Sequence, residues 1–107
     1  MVNKYKVSVV VPVFIGEEYL RQCIDSIVRQ TIFDQLEVIL INDGSTDDTP
    51  LICDNYAREH SNIYVVHQQN QGLVASRKKG ANIAKSKYIT YVDADDWIDE
   101  TYVESLL

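Results

Sequence analysis

The chain is short of the features that would mark it as secreted, membrane-spanning or nucleic-acid-binding. It holds two cysteines in 107 residues, Cys23 and Cys53, with no CxxC and no Cys/His spacing. So sparse a set builds neither a disulfide framework nor a zinc site. Both fall on apolar helical faces, so they are expected as free buried thiols in a cytoplasmic protein. No apolar run approaches the roughly 18 residues needed to cross a bilayer. Met1-Val2-Asn3-Lys4 leads into a short apolar stretch that closes at Pro12 with no small-residue cleavage site behind it, which speaks against a signal peptide. Basic residues are in deficit, 10 against 16 acidic, for a formal net charge of −6. A module that grips nucleic acid by neutralising phosphates should be basic, so no nucleic-acid partner is expected. Neither a Walker loop nor GxGxxG occurs, which argues against P-loop and standard dinucleotide sites. There is no repeat, no low-complexity segment and no linker, and residues 1–107 read as a single domain.

What the sequence does have is alternation. Val7-Ser8-Val9-Val10-Val11-Pro12-Val13 is a β-branched run suited to a strand buried on both faces. From Glu17 to Gln30 the period changes, and Leu20, Cys23, Ile24, Ile27 and Val28 fall on one helical face. Glu37–Ile41 is a second buried strand, and Thr49-Pro50 predicts an N-cap and first helical residue. Ile63–Val66 is a third strand. Gly72–Ala84 reads as a helix, with Gly80 costing about 1 kcal/mol relative to Ala. Tyr88–Val92 is a fourth strand, and a last helix is expected from near Asp99. This β-α-β-α-β-α-β-α order predicts an α/β fold of three layers, α/β/α, around a parallel four-stranded Rossmann-like sheet.

Ligands of such sheets bind beyond the carboxyl ends of the strands. Two acidic turns lie there, Asn42-Asp43-Gly44-Ser45 and Asp93-Ala94-Asp95-Asp96. Asp and Gly make turns for their own sake. Three carboxylates in four residues, however, repel one another unless a cation joins them, and hard oxygen ligands suit Mg²⁺ or Mn²⁺ with a substrate diphosphate. Arg77, in the first turns of the third helix, can pair with a strand-end carboxylate or meet a phosphate. His60 and His67 form no ligand spacing with each other or with a carboxylate pair, and Trp97 reads as a packing residue.

Val7–Phe14, Ile41-Asn42-Asp43-Gly44-Ser45-Thr46-Asp47, Asn70-Gln71-Gly72 and Tyr91-Val92-Asp93-Ala94-Asp95-Asp96 together resemble the family 2 glycosyltransferases of GT-A fold. The resemblance implies the nucleotide-binding N-terminal half of that fold, with sheet order 3-2-1-4. It implies transfer of a sugar from a nucleotide-diphosphate donor, usually UDP-linked, to a saccharide or lipid-linked acceptor in cell-surface polysaccharide synthesis. It also implies a Mn²⁺ or Mg²⁺ cofactor. Carried over by position, Pro12 and Phe14 would border the nucleoside pocket and Asp43 would contact base or ribose. Gly72 and Arg77 would line the donor site. Asp93 would lie towards ribose and diphosphate, and Asp95 would hold the metal. The family commonly has Asn where Ile15 stands, Asp at Asn42, Asn at Lys78 and Gly near Ser86. Its acceptor base belongs to a second half, so it is expected beyond Leu107, at the inner face of the membrane in a full-length parent.

Other classes remain in view. A non-catalytic α/β binding or regulatory domain with an acidic metal site is the main alternative. A phospho-acceptor receiver domain would want an acidic pair after the first strand, and a nucleotide-sugar pyrophosphorylase a Gly-rich basic loop there. Pro12-Val13-Phe14-Ile15-Gly16 supplies neither. Finally, strand four at the sheet edge, with Val103, Leu106 and Leu107 after it, is expected to promote self-association.

Overall fold

A computed structural model describes residues 5–107. Met1–Lys4, the lead segment judged above not to open a signal peptide, lie outside them. Four strands, β1 (Val7–Val13), β2 (Leu36–Asp43), β3 (Ile63–Gln68) and β4 (Tyr88–Tyr91), form one sheet in the order β3-β2-β1-β4. Every pairing is parallel, with Val10 opposite both Ile39 and Tyr91, and Ile39 opposite Tyr64. The connections carry α1 (Leu20–Val28), α2 (Thr49–Glu59) and α3 (Leu73–Ile83), and a single turn, α4 (Tyr102–Ser105), closes the described residues. The predicted fold class and strand order are those observed.

β1 and β2 are buried at every position, as central strands covered on both faces must be. Val7, Val9, Val11 and Val13 point to one face with Leu36, Val38 and Leu40, and there they meet Leu20, Cys23, Ile24 and Ile27 of α1 and Ile52 and Cys53 of α2. Val10, Ile39 and Ile41 point to the other face, against Ile83 and Ala84. α3 comes close enough that a Cβ on Gly80 would stand 2.3 Å from a Val10 methyl carbon. That contact explains a glycine in a helix interior, where propensity alone favours alanine by about 1 kcal/mol.

The α3 face is also more polar. The Ser8 hydroxyl donates to buried Glu37 (2.7 Å), and the Lys85 backbone N–H donates to the same carboxylate oxygen (2.8 Å). This pair of bonds fixes where α3 ends and the chain turns into β4.

Most boundaries shift by one or two residues from the sequence reading, β2 running Leu36–Asp43 and β3 Ile63–Gln68, and three helix ends differ for a visible reason. α1 starts at Leu20 rather than Glu17, because residues 17–19 form a turn in which the Tyr19 and Leu20 N–H groups bond to Gly16 O. Thr49 is inside α2 and not its N-cap; Asp47 accepts the Thr49 N–H instead (3.0 Å). The last helix is the single turn Tyr102–Ser105, because residues 97–101 are drawn along α1 by side-chain hydrogen bonds.

Candidate functional site: two acidic turns at the carboxyl edge of the sheet

Asn42 and Asp43, expected to open a turn, are instead the last two residues of β2, paired with His67 and Gln68, and this strand end is closed on itself. Asp43 is buried, and its two carboxylate oxygens accept four hydrogen bonds. Gln68 Nε2 (3.0 Å) and Gln71 N–H (2.8 Å) reach Oδ1; Gly72 N–H (2.9 Å) and Asn70 Nδ2 (3.3 Å) reach Oδ2. Burial alone would raise this carboxyl's pKa. The bonds from Gln68, Gln71 and Gly72 help to outweigh it, and the pKa is held below the ordinary value. Asp43 therefore shapes the loop ahead of α3. Gly72, at the N-terminal boundary of that helix, has φ +96°, a conformation an L side chain would strain to adopt.

Between this loop and the end of β1 lies a pocket of about 230 Å³ lined by Pro12, Val13, Phe14, Asp43, Asn70, Gly72, Leu73 and Ser76. Four sequence-predicted residues, Pro12, Phe14, Asp43 and Gly72, thus share one cavity. Sequence reasoning missed Leu73 and Ser76. Leu73 and Val74, apolar positions of the helix expected over Gly72–Ala84, are 52% and 67% exposed. α3 fully buries only Ser76 and Gly80, and of its apolar residues Ile83, at its far end, packs against the sheet.

The turn after β4 is open. Asp93, Asp95 and Asp96 are all exposed, while Ala94 between them is buried. Each can offer a carboxylate oxygen within 4.8 Å of the others. Asp96, not assigned to the cation from sequence, comes within the same reach. An all-oxygen donor set of this kind fits Mg²⁺ or Mn²⁺. Arg77 Nη2 stands 3.3 Å from Asp93 Oδ1, and its guanidinium lies 5.8 Å from the Tyr91 ring centre. Its Nε is buried without a hydrogen-bond partner.

Beneath the turn, the Cys23 thiol points at the Asp93 carbonyl (3.6 Å). Burial first, then the charges of Asp96, Asp95 and Asp93, push the pKa of that thiol up to about 12, so it stays protonated and inert. Burial likewise pushes the Cys53 thiol up to about 12, and both cysteines are free and buried as expected.

The chain beyond the turn is pinned to α1. Gln30 donates to Asp99 O (2.6 Å) and accepts from Val103 N–H (3.0 Å), and Ser26 accepts from Ile98 N–H (3.1 Å). A wider groove of about 550 Å³ separates α1 from residues 97–101. Trp97 lines it and is 63% exposed, so it is not the packing residue expected. Among the described residues no helix is long and apolar enough to cross a membrane.

A parallel four-stranded sheet in the order β3-β2-β1-β4 with helices on both faces is the N-terminal part of a GT-A fold. The chain belongs to Glycosyl transferase family 2, whose profile matches residues 8–107. Among curated relatives, it is 45% identical over 101 residues to the glycosyltransferase GlyA of Streptococcus pneumoniae, covering 94% of this chain and 14% of that protein. It is 38% identical over 105 residues to the minor teichoic acid biosynthesis protein GgaB of Bacillus subtilis, covering 96% and 12%. Among solved structures, Staphylococcus aureus TarS in complex with UDP superimposes with a TM-score of 0.87 at 27% identity, over 94% of this chain and 30% of that one. The mannosyltransferase PcManGT of Pyrobaculum calidifontis, in complex with GDP-Man and Mn²⁺, gives 0.79 at 25% identity, over 86% and 28%. The chain thus spans about a third or less of each of these proteins.

Proposed function

We propose that this chain is the donor-binding part of a glycosyltransferase, a nucleotide-sugar-binding domain that takes a UDP-sugar with the help of Mn²⁺ or Mg²⁺. The observation that carries the reading is that both acidic segments end strands flanking β1, at the same carboxyl edge of the sheet. The pocket beside Pro12, Phe14 and Gly72 has room and apolar walls for a nucleoside. The exposed carboxylates of Asp93, Asp95 and Asp96 supply oxygen ligands where a diphosphate would follow. A UDP complex of TarS and a GDP-Man and Mn²⁺ complex of PcManGT, on the same fold, support the donor class and the metal.

In this reading Asp95 and Asp93 hold the cation, with Asp96 in reach. A bound cation supplies neutralisation of the charge that builds on a departing nucleoside diphosphate. Arg77 does related work from the protein side: tied to Asp93, it presents a fixed guanidinium to a phosphate oxygen. Of the four bonds on Asp43, the one from Asn70 is the longest, and it is the bond a base or ribose would replace.

The acceptor, a saccharide or lipid-linked group of a cell-surface polymer, and the base that deprotonates it are assigned to segments of the parent that this chain does not cover. The teichoic acid relative supports that substrate class. A nucleotide-sugar donor puts the work in the cytoplasm, at the inner membrane face. Among the described residues β4 pairs with β1 alone, and it exposes Tyr88, Ile89 and Tyr91, which supports self-association along that edge.

Calorimetry with UDP, with and without Mn²⁺, on the wild type and Asp95→Asn tests the core of this reading. Wild-type affinity should rise at least about tenfold with metal, worth about 1.4 kcal/mol. The variant should show little metal response. Equal affinity under all four conditions would refute the metal role, and no UDP binding in any would refute the donor reading.

A further inference from the structure

Asn42, where the family commonly has aspartate, does not line the nucleoside pocket. It is buried and held from two sides. Its Oδ1 accepts the Ser45 backbone N–H (3.1 Å), and its Nδ2 lies 2.9 Å from His67 Nδ1. A backbone N–H can only donate, so the amide orientation is fixed: Oδ1 faces Ser45 and Nδ2 faces the imidazole. His67 Nδ1 must then accept, which places the ring proton on Nε2. That nitrogen lies 2.8 Å from Asp54 Oδ1 on α2. Ser45 in turn accepts the Ile15 N–H on its Oγ (2.9 Å), and Ile15 follows Phe14 at the pocket wall.

We propose that His67 is a positioning residue for the nucleotide pocket. Its neutral Nε2–H tautomer, selected by Asp54, locks Asn42, and Asn42 through Ser45 holds the Phe14–Ile15 segment in place. The proposal rests on the donor-binding reading for its purpose, but the relay itself is a property of the chain alone. Asp54 and His67 are 49% and 42% exposed by side chain, so the relay begins in solvent and ends at the pocket. Asp54 on α2 is the charged group bonded to the ring, and β2 brings it the neutral Asn42. When the ring takes a second proton, Nδ1 becomes a donor facing Asn42 Nδ2. Turning the amide would only move the conflict to the Ser45 N–H. Either way one link breaks, so protonation loosens the pocket wall while leaving the Asp54 contact intact. Gly16 and Glu17, next along the same loop, are tied separately to Thr49 and Asp47, so the loop stays anchored and the effect is graded.

Long-range ¹H–¹⁵N NMR of the 107-residue chain reads the tautomer directly. A proton on Nε2 and a bare Nδ1 are expected. The Ser45 and Ile15 amide signals should move with the same midpoint as the His67 ring during a pH titration. His67→Asn places an amide oxygen near the former Nδ1 and should keep both amides at their wild-type positions with that response gone. His67→Leu should displace them at every pH. UDP affinity should fall three- to tenfold in His67→Leu and less than twofold in His67→Asn, with Mn²⁺ affinity unchanged in both. A proton on Nδ1, or Ser45 and Ile15 amides indifferent to the ring's charge, would overturn the relay. Unchanged UDP affinity in His67→Leu would overturn its positioning role. If the wild type binds no UDP, the donor reading falls, and the NMR measurements still decide the relay.

Discussion

The two acidic turns look alike in sequence and behave oppositely in the structure. The one after β2 spends its carboxylate inside the protein: Asp43 is buried, with four hydrogen bonds from the 68–72 segment. The one after β4 keeps its carboxylates in solvent, where Asp93, Asp95 and Asp96 can converge on one point. The first turn holds a loop in place, and the second is free to hold something else. Neighbouring elements make the difference. β2 is central, so the Gln68 side chain at the end of β3 and the backbone N–H groups of Gln71 and Gly72 in the loop before α3 reach its end. β4 is an edge strand, and Arg77 is ion-paired with its turn.

The sharpest way to break this contrast is to remove the charge from the closed turn. Asp43→Asn leaves one acceptor oxygen where two served, and turns an NH₂ towards N–H donors. Hydrogen bonds to charged groups contribute about 1.5–3 kcal/mol each, so a loss of about 3 kcal/mol is expected, a fall in Tm of roughly 10–20 °C for a chain this size. The loss also depends on pH. The folded carboxyl has a lowered pKa, so its ionisation stabilises the fold above the ordinary carboxylate range and ceases to as pH falls through the folded value. The gap between wild type and variant should therefore be full at pH 7 and narrow below about pH 4. Thermal melts across that range check it, and a gap independent of pH would show the carboxylate's charge to be irrelevant.

The open turn should respond in the opposite manner. Arg77 and Asp93 are both about half exposed, so their ion pair contributes little to stability, at most about 0.5 kcal/mol. Arg77→Gln should leave Tm nearly unchanged. If the guanidinium serves a phosphate, UDP affinity should fall about tenfold, roughly 1.4 kcal/mol, while uridine binding is little affected. Equal losses for UDP and uridine would assign Arg77 to the pocket wall instead.

The same contrast explains what could be read from the sequence. Strands β1 and β2 and the apolar face of α1 were legible because burial on both faces leaves continuous apolar runs and α1 rests on an apolar floor, while the sheet order came from the family resemblance. α3 was legible as an element, but its inner face was not, because it approaches the sheet through Gly80 and Ser76 and leaves Leu73 and Val74 exposed. Pro12, Phe14, Asp43 and Gly72 could be brought together by topology and by resemblance to a family. The partners of Asp43 could not, since they are mostly backbone N–H groups and amides common to any loop. His67 carried no spacing signal, because both its partners lie on other elements.

Ile15 gives the smallest effect, on the closed side. It is the only non-glycine among the described residues with positive φ, at 52°. A β-branched side chain there is strained, and left-handed backbone costs an L-residue roughly 1–2 kcal/mol. Asn accepts that conformation more readily, since its short polar side chain can bond locally. Ile15 is 44% exposed, so replacing it forfeits little apolar burial. Its structural tie, the N–H donated to Ser45, belongs to the backbone and survives substitution. Ile15→Asn should therefore stabilise the chain by about 1 kcal/mol, raising Tm by roughly 4–8 °C, with no change in the Ser45 amide signal. A lower Tm would mean that the isoleucine side chain supports the Phe14 wall by packing. In that case the end of β1 would be held by apolar contact as well as by the hydrogen bonds that run through Ser45 to the closed turn.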